Sequence, residues 1–260
     1  MVWSKAAKNL IHALIPPAFW LGVWQLAAVL VDRQMDGKGN ELLLPYPAMV
    51  LAALAKLLRD PDFLLTVGTS LGRILLGLVL GTVIGGLLAG LTCASRWCDR
   101  LLSPAIQVVR ATPVAAFILL VVLWTGKNSV PVVIAAMMVV PVVWGNLSRG
   151  IRETDGQLLE LARAYRFSRW KTLRLIYLPC LRPYFISAIT TATGLAWKSG
   201  VAAEVLCVPN FAMGTRIFQT KYYLEIPELF AWTAVVVTLS LVLEKLLRVV
   251  LERQNRRSGR

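Results

Sequence analysis

The sequence has little charge and almost no histidine. Only 16% of its 260 residues are charged, and His12 is the one histidine, which excludes a multi-histidine metal centre. The four cysteines, Cys93, Cys98, Cys180 and Cys207, form no C-x-x-C pair and read as small apolar residues. No H-E-x-x-H, G-x-x-x-x-G-K-[ST] or G-x-S-x-G string occurs. Metal hydrolysis, ATP hydrolysis by this chain and serine-hydrolase chemistry therefore lack the residues to carry them. Acids are also scarce, 14 against 28 Lys and Arg, for a formal charge of +14. A non-enzyme with no metal and no cofactor of its own is expected.

What the chain has instead is apolar length. It is 57% hydrophobic with mean hydropathy +0.64, the composition of an all-α membrane protein. A bilayer core takes about 20 apolar residues of helix, and six stretches qualify: roughly 10–31, 65–92, 104–125, 129–148, 184–207 and 228–250. The first carries Pro16 and Pro17 and lacks a small-residue cleavage pattern, so it reads as a retained span and not a signal peptide. A single membrane domain over 1–260 is expected, with 1–64 as first span and outer segment, 65–250 as a five-span core and 251–260 as a basic tail.

Six spans put both termini on one side, and the basic residues choose the cytoplasm. Lys5, Lys8, Arg96, Arg100, the run from Arg149 to Arg182 and Lys245 through Arg260 then all lie inside, whereas the segment from Asp32 to Asp62 shows no basic excess. Arg248, Arg253, Arg256, Arg257 and Arg260 read as an anchor on an anionic leaflet. Because the cations fall between apolar segments, they point to membrane lipid and to an acidic partner, not to nucleic acid.

In the second stretch Gly68 and Gly72, then Gly77, Gly81 and Gly85, recur every four residues and so share helix faces. Another backbone can approach there, either within one subunit or from a second one.

The segment Arg149–Pro183 is too long for a simple helix connection. Thr154 with Gln157 fits a capping box ahead of Leu158, Leu159, Ala162 and Tyr165 at helical spacing. Ser168 can cap a second short helix carrying Trp170, Leu173, Ile176 and Tyr177, which Pro179 is expected to end. Eight basic residues against three acids leave the segment at +5. Composition alone allows either a membrane surface or a docking partner.

Glu160-Leu161-Ala162 followed by Ile176-x-Leu178-Pro179 resembles the E-A-A motif of membrane subunits of binding-protein-dependent ABC importers, where this loop carries the coupling helix. Leu44-Pro45-Tyr46-Pro47, Ser95-Arg96-Trp97, Gly150-Ile151-Arg152, Ala196-Trp197, Ala202-Ala203-Glu204 and Gly214 resemble the nitrate/sulfonate/taurine branch, over roughly residues 40 to 250. The family's usual glycine six residues after the glutamate is Arg166 here. Glycine there permits a sharp turn between the two short helices, so the loop geometry is what this departure leaves open.

The resemblance implies the type I importer permease fold in a bacterial inner membrane. It also implies a second permease copy, two ATP-binding subunits that hold the ATP and Mg, and an extracytoplasmic solute-binding protein. The ATPase would dock on Glu160, Leu161, Ala162, Ala164, Tyr165, Arg166, Ile176, Leu178 and Pro179. The branch's usual cargo is a small anion such as a sulfonate, taurine or nitrate, with vitamin precursors as the alternative.

Charges inside spans are costly. Arg73 and Arg110 lie near span ends and can snorkel. Lys198 and Glu204 lie deeper in the fifth stretch, and six residues on an ideal helix set them about 240° apart, so each needs a partner elsewhere. Lys198 is a candidate for a positive position on the solute path, and both are candidates for a path or gate. A structural pairing across helices is the competing reading. No internal repeat marks a secondary carrier with both halves in one chain, and no nucleophile with its base marks a membrane enzyme.

Overall fold

The computed structural model describes residues 5–35 and 37–258, with side chains over 15–35 and 37–249. The side chains of Lys5, Lys8, His12 and the arginines from Arg253 onward lie outside those described. Among the described residues twelve α-helices run in order: α1 (Lys5–Gln34), α2 (Gly39–Leu42), α3 (Pro47–Leu57), α4 (Phe63–Ala94), α5 (Arg96–Ala111), α6 (Val114–Trp124), α7 (Val130–Arg152), α8 (Gly156–Ala164), α9 (Arg169–Thr172), α10 (Leu178–Cys207), α11 (Met213–Tyr222) and α12 (Ile226–Ser258). No strand occurs among the described residues.

Length and composition qualify four helices to cross a bilayer: α1 over Ile15–Gln34, α4, α7, and α12 over Ile226–Val249. The fifth stretch of the sequence is α10, whose 30 residues reach about 45 Å but include Lys198, Glu204 and several hydroxyls. The stretch 104–125, expected as one span, is instead broken into α5 and α6, bent by 109°. The cause is local. Pro113 has no N–H to donate, and it drives Thr112 out of the helical region to φ −78°, ψ 134°. Hydropathy runs through this break without registering it.

The chain divides into two compact units, Met1–Leu65 with Arg216–Val237, and Thr66–Thr215 with Thr238–Arg260. In the first, Trp24 stacks on Phe230 and donates its indole N–H to the Pro45 carbonyl at 3.0 Å. Phe63 packs on Trp232, and Lys56 pairs with Glu228 at 2.8 Å. Among its described side chains, most of α1 over 15–34 remains uncovered, with Phe19, Trp20, Leu26 and Leu30 exposed, the surface a helix offers to lipid.

The second unit is built on close helix contact. Along α4 the buried positions are Thr66, Ser70, Ile74, Gly77, Gly81, Gly85, Ala89 and Thr92, a stripe of mostly small residues at steps of four and three. A Cβ placed on Gly77 would lie 2.6 Å from the Val132 carbonyl, on Gly81 2.6 Å from that of Ala136, and on Gly85 2.8 Å from that of Val140. The stripe therefore lies directly on the backbone of α7. Gly68 and Gly72 face open space. Trp144 of α7 donates to the Thr92 hydroxyl at 3.0 Å, and Ile74 occupies the space above Gly200 of α10. In lipid, where burial of apolar surface gives little drive, such close packing is what holds helices together.

Gly81→Val is expected to force α4 off α7 and to lower stability in detergent by about 1–3 kcal/mol, read as a reduced midpoint of thermal unfolding. Gly72→Ala, where the added Cβ meets nothing, is expected to leave the midpoint unlowered or to raise it slightly, because alanine favours the helix interior over glycine.

Candidate functional site

The loop between α7 and α10 is an ordered elbow. Asp155 caps α8 by accepting from the Gln157 N–H at 2.8 Å. Thr154, the residue expected to do so, donates its hydroxyl to the Gly150 carbonyl at 3.0 Å and closes the end of α7 instead. Ser168 caps α9 through the Lys171 N–H at 3.2 Å. Beyond α9 the helix does not end at Pro179. It passes through a π turn, Leu173–Tyr177, into α10. The wider turn makes room for a proline ring that would otherwise meet the carbonyl four residues back.

Arg166 takes φ +50°, the left-handed conformation in which glycine fits without strain. Its N–H donates to Arg163 O at 3.0 Å and that of Phe167 to Ala162 O at 2.8 Å, the paired bonds of a Schellman turn. The sharp turn is thus made with arginine in the glycine position.

The elbow leaves Glu160, Leu161, Ala164, Tyr165 and Arg166 exposed and buries Ala162, which with Leu159 and Tyr177 lines a recess of about 280 Å³ between α8 and the following helix. Ile176 is buried and Leu178 exposed. Glu160 makes no hydrogen bond or ion pair among the described residues. At the root of the elbow Arg149 pairs with Glu153 at 2.7 Å, and the Tyr184 hydroxyl donates to the same carboxylate. Together Tyr184 and Arg149 hold the Glu153 carboxyl below the usual glutamate range.

Lys198 and Glu204 part company on α10. Glu204 is fully buried, and its Oε2 accepts from the Ser70 hydroxyl at 2.9 Å and from the Gly214 N–H at 3.1 Å. Ser70 Oγ in turn accepts from the Met213 N–H at 2.9 Å. The carboxyl group thus holds the first turn of α11 against α4 and α10, satisfying amides a helix start leaves open. The connection it secures is strained, with Val208 at φ +49° and Phe211 at φ +46°. Ser70 and Met213 carry no sequence signal for this role, because a serine in an apolar helix shows no preference for a partner 134 residues away. Lys198 is exposed, without a hydrogen bond or ion pair among the described residues.

Between α5, α7 and α10 lies a cavity of about 520 Å³, with Arg110, Asn146, Arg149 and Thr191 among its polar lining and Met138 and Leu195 among its apolar lining. Thr191, Leu195 and Lys198 follow at steps of four and three, so they share one face of α10. The break at Pro113 sets Arg110 in the last turn of α5, where the sequence suggests only a snorkelling cation.

Glu204→Ala is expected to cost about 3 kcal/mol and to raise amide hydrogen exchange across 208–216, since the strained turn and the first amides of α11 lose their common anchor. Arg166→Gly is expected to stabilise by about 1–2 kcal/mol, seen as a higher midpoint of thermal unfolding, by removing a left-handed non-glycine residue.

Comparison with known proteins bears on the whole arrangement. Residues 63–259 match the family described as binding-protein-dependent transport system inner membrane component. The chain is 32% identical over 210 residues, 80% of its length and 77% of the relative's, to a protein of Escherichia coli strain K12 named as an aliphatic sulfonates transport permease. It is 26% identical to the taurine transport system permease protein of the same strain, over 82% of this chain and 80% of that one. In fold it resembles a chain in the crystal structure of an amino acid ABC transporter with histidines, with TM-score 0.63 at 18% identity, covering 77% of this chain and 97% of the other. Helical spans, the type I permease fold and the family match agree: the chain belongs to the binding-protein-dependent transport system inner membrane components, the non-catalytic, multi-pass permease subunits of ABC importers.

Proposed function

We propose that the whole chain works as one permease domain that, paired with a second copy, forms the path for a small anion such as a sulfonate or taurine. Two ATP-binding subunits dock beneath the pair, and an extracytoplasmic binding protein delivers solute from above, with both termini cytoplasmic. The elbow between α7 and α10 carries this reading. It exposes Leu161 and Tyr165 beside the unpaired Glu160, an apolar and charged surface with no use inside the chain.

The connectivity supports coupling. The elbow leads from the end of α7 and runs without a break into α10, so displacing α8 moves two helices of the solute path together. ATP hydrolysis belongs to the partner. This chain converts closure of the ATPase pair into rocking between inward-open and outward-open states. Lys198 offers the path a positive charge, and Glu204 holds the turn that acts as part of the gate. The small-residue face of α4 is the packing surface that Gly77, Gly81 and Gly85 supply. Relatives named for sulfonates and taurine support an anionic cargo.

Tagged wild-type chain, extracted mildly from its native membrane, is expected to retain an ATP-binding subunit with measurable ATPase activity. Glu160→Arg is expected to insert normally and bind that subunit about tenfold or more weakly, since reversing a charge in a matched interface costs several kcal/mol. Wild type that retains no ATP-binding subunit under mild extraction would remove the reading of the elbow as the docking surface.

A further inference from the structure

The cavity between α5, α7 and α10 carries an exposed, unpaired cation on a lining that is part polar and part apolar. Arg110 has no hydrogen bond or ion pair among the described residues. Arg149, the other guanidinium on the wall, is already engaged by Glu153 at 2.7 Å. Asn146 uses one amide N–H on the Val142 carbonyl at 2.8 Å, which leaves its second N–H able to donate. Met138 and Leu195 add apolar side chains to the same lining.

The charge calls for an anion, and the walls specify what kind. A guanidinium presents a planar fork of donors suited to an oxyanion of sulfonate or carboxylate geometry. Arg110 is exposed on this wall and has no counter-ion among the described residues, which leaves its donors open to a ligand. A hydrated inorganic anion would leave the apolar wall unused, and a volume of about 520 Å³ is in the range of pockets that enclose organic ligands. Lys198, one turn beyond Leu195 on the same face of α10, continues the positive track along the helix.

We infer that this cavity is a binding site for an organic oxyanion with an apolar body, its head group on Arg110 and its tail against Met138 and Leu195. The inference rests on the reading of the chain as a solute path, and it narrows the cargo to amphiphilic anions over nitrate-like ones.

The test is calorimetric titration of the full chain in nanodiscs, with whatever subunits co-purify and no nucleotide, against ethanesulfonate, hexanesulfonate, nitrate and neutral hexanol. Affinity is expected to rise about threefold to fourfold for each methylene added to the sulfonate. Arg110→Gln is expected to weaken both sulfonates about tenfold or more, with Arg110→Lys intermediate. Leu195→Trp, which fills the apolar end, is expected to weaken hexanesulfonate more than ethanesulfonate. Nitrate competing as well as hexanesulfonate, hexanol binding equally well, or Arg110→Gln binding unchanged would each overturn the inference. ATPase retained on the same preparation reports separately on the coupling elbow: sulfonate binding without ATPase would remove the coupling reading and leave this site, and the reverse would remove only the site.

Discussion

The contact on which the second unit depends is backbone against backbone, where α4 lies on α7. At Gly77, Gly81 and Gly85 there is no room for a Cβ, because carbonyls of α7 fill the space. In a bilayer two helices gain little by hiding apolar surface from lipid, so adhesion must come from proximity, and proximity requires small residues. With α7 fixed on α4, and α10 fixed on α4 through Gly200 and Ile74, three helices acquire a set relation. The elbow can then act on α7 and α10 at a defined place, and the cavity beside them has firm walls.

Polar chemistry is confined to a few points, and each has a distinct role. Glu204 lies fully enclosed where a carboxyl group is costly, yet it satisfies Gly214 directly and Met213 through Ser70. Two left-handed residues other than glycine, Val208 and Phe211, flank the turn it anchors. Strain of this kind persists only where surrounding structure over-determines it. A helix start anchored at one end of α10 and an ordered elbow at the other thus bracket this helix on both sides.

Arg110 and Lys198 differ from Glu204 in being unpaired. Both are exposed, so neither carries the cost of burial that Glu204 must offset. Arg166 is a third case. There the backbone keeps the Schellman bonds of a glycine turn, so the substitution adds strain and surface charge without changing the path of the loop.

Much of this was legible in sequence because it depends on local pattern. Apolar length fixes the helices α1, α4, α7, α10 and α12 to within several residues at each end, the four-residue glycine spacing marks the packing face of α4, and Glu160-Leu161-Ala162 marks the elbow. Even the serine cap at Ser168 follows from neighbours in the chain. What only the tertiary structure decided involves competition or distance. A proline broke one apolar stretch at Pro113, yet another was absorbed by a π turn at Pro179. Asp155 outcompeted Thr154 for the cap because the threonine hydroxyl found a carbonyl behind it. The Glu204 partners and the placement of Arg110 come from segments far apart in sequence. Periodicity reports which face a residue shares, but the groups that meet across helices are settled only when the helices pack.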